Sequence, residues 1–267
     1  MDRFRQSPQR GRSQRRSDSG TAHLIKLKLT IAYDGSSFAG WQRQKNARTV
    51  QGTLEEAFQK ITGKRVRVVG AGRTDSGVHA QGQVAHTILH SGRMQPKELL
   101  RALNAVLPED VAVRSLSRTP ASFHAIASAK KKRYRYLIWN KPVRPVRDRQ
   151  YMLHVPHPLD IRAMQTTAKA LRGRHNFKAF HSAGRPVRST IRRLYRLDVR
   201  ARGGMVVINA EADGFLYHMV RRIVGFLLET GRGRRKPADT GKLLDRDGKL
   251  IAPTAPAKGL CLVKVSY

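Results

Sequence analysis

Apolar and polar residues in the first half of the chain recur with spacings that predict strands and helices in turn. Leu27, Leu29 and Ile31 alternate with polar residues, which is typical of a strand with one buried face. The segment TVQGTLEEAFQKITG then has apolar residues at helical spacing, and Gly63 is placed to end that helix. Further on, the predicted strands are RVRVV, QVAHTIL and VAVRSLS, with a helix at PKELLRALNAVLP. This order predicts an α+β fold with helices on one face of a sheet.

A second series of elements follows from residue 123 onward. KKRYRYLIW and QYMLHV are predicted strands, and LDIRAMQTTAKALRG is a predicted helix. STIRRLYRLDVRA and MVVINAEA predict a hairpin that turns at Arg202, Gly203 and Gly204. FLYHMVRRIVGFLLETG is the strongest predicted helix, and GLCLVKVSY is a predicted closing strand. Because the two series share a coarse order, the sequence predicts two related α/β units with a basic cleft between them.

These patterns divide the chain into three predicted regions. Residues 1–22 are rich in Arg, Ser, Gln and Gly with almost no apolar side chains, so we expect a disordered tail. The tail is either a solubilising segment or a flexible arm that adds phosphate contacts. Residues 23–122 are expected to form an N-terminal α/β domain that carries an aspartate loop, and residues 123–267 a C-terminal α/β domain.

The charge of the chain indicates a polyanionic partner. Lys and Arg total 53 against 18 Asp and Glu, which gives a formal net charge of +35. Such a surface repels itself, so folding alone does not account for it, and nucleic acid is the commonest partner of this kind. An anionic membrane surface is the alternative. The chain has no run of about twenty apolar residues and its first residues lack a signal-peptide core, so we expect a cytoplasmic protein that does not bind membranes.

The cysteine content excludes two kinds of stabilising site. Cys261 is the only cysteine, so the chain forms no internal disulfide and no zinc cluster built on cysteine pairs. Because Cys261 lies in a predicted strand, we expect it to be a small buried side chain.

The loop in RVVGAGRTDSGVHAQGQVAH resembles a dinucleotide-binding loop but departs from it. Gly70 and Gly72 follow an apolar run, yet Asp75 stands where the third glycine is needed. A dinucleotide loop must open a helix, and the residues after Asp75 alternate like a strand. Calcium binding needs more oxygen ligands than this loop supplies, and His79 and His86 have no third metal ligand at workable spacing. We therefore expect neither a nucleotide cofactor nor a metal.

What remains is an aspartate in a glycine-rich turn beside the positive charge of Arg73. Glycines allow a tight turn and let a substrate approach the backbone closely. Asp75 is then either a catalytic carboxylate or a turn residue satisfied by its own backbone, and spacing alone leaves both interpretations open.

Several segments of the chain match, in order, the motifs of one enzyme family. GRTDSGVHAQGQV resembles the signature of the tRNA pseudouridine synthase A family, and YDGSSFAGWQRQ resembles that family's N-terminal motif. FHA, RYRY, HMVRRIVG and GLCLVKVSY are similar to further family motifs, and the resemblance covers about residues 24–267.

This resemblance implies a fold and an activity. The pseudouridine synthase fold has two α/β halves that form a long, mainly antiparallel sheet flanked by helices. Family members isomerise uridine to pseudouridine in the anticodon stem and loop of tRNA, at tRNA positions 38 to 40. The base leaves its ribose carbon, rotates and is rejoined through carbon, so no cofactor is implied. The resemblance also implies a homodimer with tRNA as its partner.

The resemblance implies a role for each matching site residue. Asp75 matches the nucleophile, and Arg221 matches the arginine that pairs with it. Tyr134 matches the aromatic residue that stacks on the flipped base, while Arg73 is expected to contact the RNA. Tyr136 shares the strand face of Tyr134 and is expected to be a packing residue. Further expected tRNA contacts are Phe123, His124, Lys131, Arg133 and Arg188, with Lys130, Lys132, Arg185, Arg192 and Arg193 as neighbouring charges.

Two features depart from the family pattern. The arginine-rich tail at residues 1–22 is an addition to it. Ile126 stands where family members often have an arginine after FHA, which leaves one RNA contact in doubt.

The alternative function is a non-catalytic basic RNA-binding or ribosome-associated protein. Such a binder has no reason to keep Asp75, Tyr134 and Arg221 together, so the sequence favours the enzyme.

Overall fold

The computed structural model describes residues 24–90, 94–182, 184, 187–244 and 252–267. The predicted tail at residues 1–22 and Arg185 lie outside the described residues. Within the described ranges the chain forms ten strands and five α-helices, with all ten strands in one sheet. The predicted α+β class is confirmed.

Six elements are formed by residues 24–118. In chain order they are β1 Leu24–Tyr33, α1 Val50–Thr62, β2 Val69–Gly70, β3 His79–His90, α2 Pro96–Val106 and β4 Val111–Arg118. Helix α1 begins where the Thr49 hydroxyl accepts a hydrogen bond from the Gly52 amide, at 3.2 Å. It ends at Gly63, whose φ of 70° lies in the left-handed region that glycine adopts without strain, as the sequence predicts.

Nine elements follow from residue 131. They are β5 Lys131–Trp139, β6 Leu153–His154, α3 Ile161–Ala170, β7 Gly173–Asn176, β8 Ile191–Arg202, β9 Met205–Ala212, α4 Met219–Gly231, α5 Asp239–Leu244 and β10 Leu260–Ser266. Short 3₁₀ turns cover Lys178–Phe180 and Ala257–Gly259. The predicted hairpin is confirmed, because β8 and β9 pair antiparallel across Gly203 and Gly204.

The sheet joins both series of elements through the last strand. Its order is β4-β1-β3-β10-β5-β9-β8-β7, with β2 on β3 and β6 on β5. The pairs β3–β10 and β5–β6 are parallel and the other pairs are antiparallel, so the expected mainly antiparallel sheet is confirmed. The division into domains near residue 122 stays a prediction.

Helix α4 is the most buried helix and supplies one wall of the candidate site. Ten of its thirteen residues are buried, including Ile223 and Leu227 at 0% exposure. Full burial of each such side chain stabilises the fold by about 2 kcal/mol. The helix is therefore held firmly, and side chains at its N-terminal end are fixed in position.

Three predicted elements are shorter in the structure, for physical reasons. The RVRVV strand is reduced to Val69–Gly70, because the Val68 amide donates to Glu55 Oε1 and the Thr87 hydroxyl donates to the Arg67 carbonyl. The QYMLHV strand is reduced to Leu153–His154 after a turn in which the Tyr151 amide bonds back to Asp148.

The strongest predicted helix also begins later than expected, at Met219. His218 has a φ of 62°, and a left-handed residue cannot be part of a right-handed helix.

Cys261 in β10 is partly exposed, so the expectation of a buried cysteine was wrong. None of the described helices is long and apolar enough to span a membrane.

Candidate active site

Asp75 lies in the loop between β2 and β3, and the YDGSSFAGW segment packs beneath that loop. The Trp41 amide donates to the Thr74 carbonyl at 3.0 Å, and the Ser76 hydroxyl donates to the Phe38 carbonyl at 3.1 Å. Gly40 is needed for this packing, since a Cβ there would lie 2.7 Å from the Thr74 oxygen. Two motifs distant in sequence thus form one rigid support for the carboxylate.

Arg221, in the first turn of α4, pairs with Asp75. One of its terminal nitrogens lies 3.0 Å from Asp75 Oδ2, and its Nε donates to the Ala255 carbonyl at 2.8 Å. The two side chains are 17% and 22% exposed, so the pair is partly shielded from water. The bond to Ala255 holds the guanidinium in place, and the charge-assisted bond to Asp75 then fixes the orientation of the carboxylate.

His218 is a second neighbour of Asp75 that the sequence did not indicate. Its Nε2 lies 3.4 Å from Asp75 Oδ2, and its Nδ1 lies 2.9 Å from the Ser182 hydroxyl. Burial lowers the pKa of His218, Asp75 opposes this shift, and Arg221 and Arg222 add to it. The signal in the sequence was that His218 opens the HMVRRIVG motif, three residues before Arg221.

Tyr134, on β5, borders the same space. It is 8% exposed, and its ring stands edge-on to Phe215 with 5.2 Å between centroids. Burial raises the pKa of its hydroxyl well above the ordinary value, with Tyr33 and Asp75 adding to the shift. The hydroxyl therefore stays protonated at neutral pH. Tyr136 is fully buried and donates to the Pro256 carbonyl, which makes it a packing residue.

A cavity of about 490 Å³ brings these side chains together. Asp75, Arg221 and Tyr134 line it, as do the exposed Arg73 and the unforeseen His218. The volume lies within the usual range of small-molecule pockets, and a single extruded nucleoside is of suitable size. The structure thus places the four principal predicted site residues around one space.

Lys132 also lines the cavity, although the sequence indicated it only as one charge of a basic run. Its Nζ donates to the Ala71 carbonyl at 2.8 Å. Burial lowers its pKa, and the nearby Arg192 adds to the shift. The lysine is therefore part of the wall and not a solvated surface charge.

The other expected tRNA contacts lie outside the lining of this cavity. Phe123 packs on Tyr267 with 4.9 Å between ring centroids, and His124 lies against His86. Lys131 Nζ sits over the Tyr195 ring at 4.6 Å. Arg133 forms an ion pair with Glu211 at 2.6 Å, and Arg188 is exposed. Their roles in tRNA binding stay predictions.

The described part of the chain offers no group of three His, Cys, Asp or Glu residues suited to a metal ion. His79 and His86 instead accept hydrogen bonds from backbone amides. His79 Nδ1 accepts from the Gly35 amide at 3.0 Å, and His86 Nδ1 accepts from the Ala125 amide at 3.2 Å.

Comparisons of the chain with family models and with known proteins point to the same family. The model of a family described as tRNA pseudouridine synthase matches residues 29–126 and 167–267. A tRNA pseudouridine synthase A of Geobacillus kaustophilus is 46% identical over 246 residues, covering 91% of this chain and 94% of the relative. Enzymes of the same name from Moorella thermoacetica and Acetivibrio thermocellus are 45% and 43% identical, each covering 90% of this chain and 99% of the relative. The chain therefore belongs to the tRNA pseudouridine synthase family and is an enzyme of this type.

Proposed function

We propose that this enzyme isomerises uridine to pseudouridine in the anticodon stem and loop of tRNA, at tRNA positions 38 to 40, with Asp75 as nucleophile. The observation that carries the proposal is the 3.0 Å contact between Arg221 and Asp75 Oδ2 in a cavity that Tyr134 also lines. The names of the relatives and the net charge of +35 support a tRNA substrate.

The reaction is balanced without any added group. The bond between ribose C1′ and uracil N1 breaks, the base turns, and a bond forms between C1′ and C5. The C5 proton leaves and N1 gains a proton, so nothing is oxidised or reduced. A carboxylate such as that of Asp75 suits transient covalent work at a sugar carbon or an activated pyrimidine.

The neighbouring residues prepare this step. Arg221 keeps a positive charge against the carboxylate and fixes its direction before substrate arrives. The ring of Tyr134 provides an apolar surface for a uracil that has left the base stack. Arg73 is exposed and lines the cavity, which supports a role for it in contacting the RNA backbone.

Tritium release from tRNA labelled at uridine C5 tests this proposal. Wild-type protein is expected to release tritium, and Asp75→Asn is expected to abolish release because the amide is not a nucleophile. Asp148→Asn is the matched control, since Asp148 is exposed and its φ of 56° suits asparagine. Wild-type protein that binds tRNA without releasing tritium would instead support the non-catalytic RNA-binding alternative.

The position of the target uridine is tested separately. Transcripts that keep uridine only at positions 38 to 40 are expected to release tritium. Transcripts in which only those uridines are replaced are expected to release none. Release from the second set would contradict the proposed target.

We also propose that the enzyme acts as a homodimer around one tRNA. One chain has a mass of 30.0 kDa, and sedimentation is then expected to give a species of twice that mass. A fully active species with the mass of a single chain would contradict this arrangement.

A further inference from the structure

The N-terminal end of α4 brings two side chains to the same oxygen of Asp75. His218 Nε2 lies 3.4 Å from Oδ2, and the Arg221 guanidinium lies 3.0 Å from it. His218 directly precedes α4 and Arg221 lies in its first turn, and their shared contact with Oδ2 shows that the two side chains lie together. His218 is 20% exposed and borders the cavity, which makes it part of the site.

The backbone of His218 adopts a conformation that is uncommon for residues other than glycine. Its φ is 62° and its ψ is 0°, which places it in the left-handed region where glycine and asparagine are preferred. Residues other than glycine that are held in that region cost conformational energy, and they cluster at active sites and ligand-binding sites. Glycine would suit the backbone better, so the left-handed conformation of His218 is consistent with a use of its side chain in the site.

Ser182 fixes the orientation of the imidazole ring. Its buried hydroxyl lies 2.9 Å from His218 Nδ1, and its amide donates to the Tyr217 carbonyl at 3.2 Å. Arg222 holds the same segment by donating to the His181 carbonyl at 2.8 Å. When the serine hydroxyl donates to Nδ1, the ring proton lies on Nε2, the nitrogen that is 3.4 Å from Asp75 Oδ2.

We propose that His218 is a positioning residue for Asp75, with Ser182 setting its ring orientation. The inference rests on the proposed function, because it assigns His218 a task only if Asp75 is the reacting group. Arg221 supplies the charge that faces the carboxylate, and His218 restricts the rotation of the same carboxylate. Losing the imidazole therefore slows the chemical step and leaves RNA binding nearly unchanged.

Two substitutions of His218 separate a positioning role from a purely structural one. Asparagine suits the left-handed backbone but is too short to reach Asp75, whereas glutamine places its amide nitrogen near the position of Nε2. For His218→Asn we expect kcat for tritium release to fall by about 10- to 100-fold, with KM within about threefold. For His218→Gln we expect kcat within about fivefold of wild type. For Ser182→Ala we expect a loss of about 2- to 10-fold.

His157→Asn, at an exposed loop position, is the matched control and is expected to keep full activity. If the wild-type protein releases no tritium, the proposed function fails, whatever the variants do. If the wild type is active and His218→Asn matches it, the positioning role is overturned. Equal losses of kcat in the Asn and Gln variants would also overturn it, because glutamine would then offer nothing that asparagine lacks.

Discussion

At the scale of single residues, the guanidinium of Arg221 makes two contacts that no other side chain can reproduce. Nε holds the Ala255 carbonyl while a terminal nitrogen holds Asp75, so the arginine links two separate segments. Lysine has one nitrogen and cannot bridge both acceptors in this fork geometry.

Arg221→Lys is therefore expected to lower kcat for tritium release by about 10- to 100-fold, because the contact with Asp75 loses its direction. Single-turnover tritium release at saturating tRNA measures this loss. Arg162→Lys, at an exposed position on α3, is the control and should behave as wild type. Unchanged turnover in Arg221→Lys would show that the fork geometry is not needed.

His86 gives the fold a dependence on pH. Its Nδ1 accepts from the Ala125 amide, and burial lowers its pKa below the ordinary value, with His124 and Lys26 adding to the shift. The unfolded chain therefore binds a proton more readily than the folded one. Stability that is present at neutral pH is lost as the pH falls through the ordinary histidine range.

Urea unfolding at pH 7.5 and 5.5 is expected to show a smaller free energy of unfolding at the lower pH. His86→Asn keeps an acceptor for Ala125 but does not titrate, so its stability should fall less over the same interval. The exposed His157→Asn should lose as much stability as wild type. Equal losses in His86→Asn and wild type would rule out this role of His86.

The sequence was sufficient to predict the residues that lie within recognisable motifs. Asp75, Arg73, Tyr134 and Arg221 each belong to such a motif, and the fold brings them around one cavity. His218 also lies in a motif, HMVRRIVG, but no role was predicted for it, because no local pattern joins it to its partner Ser182, 36 residues away. Burial of Lys132 escaped prediction for the same reason, since a run of three lysines is typical of an exposed strand.

At the scale of elements, the approach of α4 to the segment before β10 depends on Gly225. A Cβ at this position would lie 1.9 Å from the Pro253 carbonyl oxygen, which belongs to the backbone and cannot turn aside. The same segment carries the Ala255 carbonyl that anchors Arg221. The glycine thus supports both packing and the geometry of the site.

Gly225→Ala is expected to reduce the free energy of unfolding by about 1–3 kcal/mol and to lower turnover as well. Gly241→Ala, in α5, has open space around its Cβ and should leave stability unchanged or raise it by about 0.5–1 kcal/mol. Urea unfolding and tritium release measured on both variants test this pair. A stable, fully active Gly225→Ala variant would contradict the inferred contact.

Periodicity predicted which segments are strands and helices better than it predicted where they end. The end of α1 was predictable because Gly63 is a local signal. The late start of α4 was not, because a left-handed histidine has no signature in the pattern of apolar residues. The shortening of β2 was equally hidden, since it depends on Glu55 from another element.

At the scale of the whole molecule, the charge of +35 has a measurable consequence for tRNA binding. Affinity based on phosphate contacts falls steeply with salt, because binding releases counterions from the RNA. The reacting carboxylate lies in a partly shielded cavity and should be much less sensitive to salt.

We therefore expect the Kd for tRNA to rise by about 100-fold or more between 50 and 200 mM salt, on the usual dependence for several phosphate contacts. The rate at saturating tRNA should change by less than about threefold. Filter binding and single-turnover kinetics at the same salt concentrations measure the two quantities. A flat binding curve would exclude phosphate contacts as the main source of affinity.

The position of β10 in the sheet also bears on how this protein is made. Residues 260–266 form the strand between β3 and β5, and in that sheet order they alone join the two blocks of strands. During synthesis the two blocks therefore carry unpaired sheet edges until residues 260–266 have left the translation machinery. Such edges pair readily with other chains. Protection by chaperones is accordingly most needed before residues 260–266 have emerged.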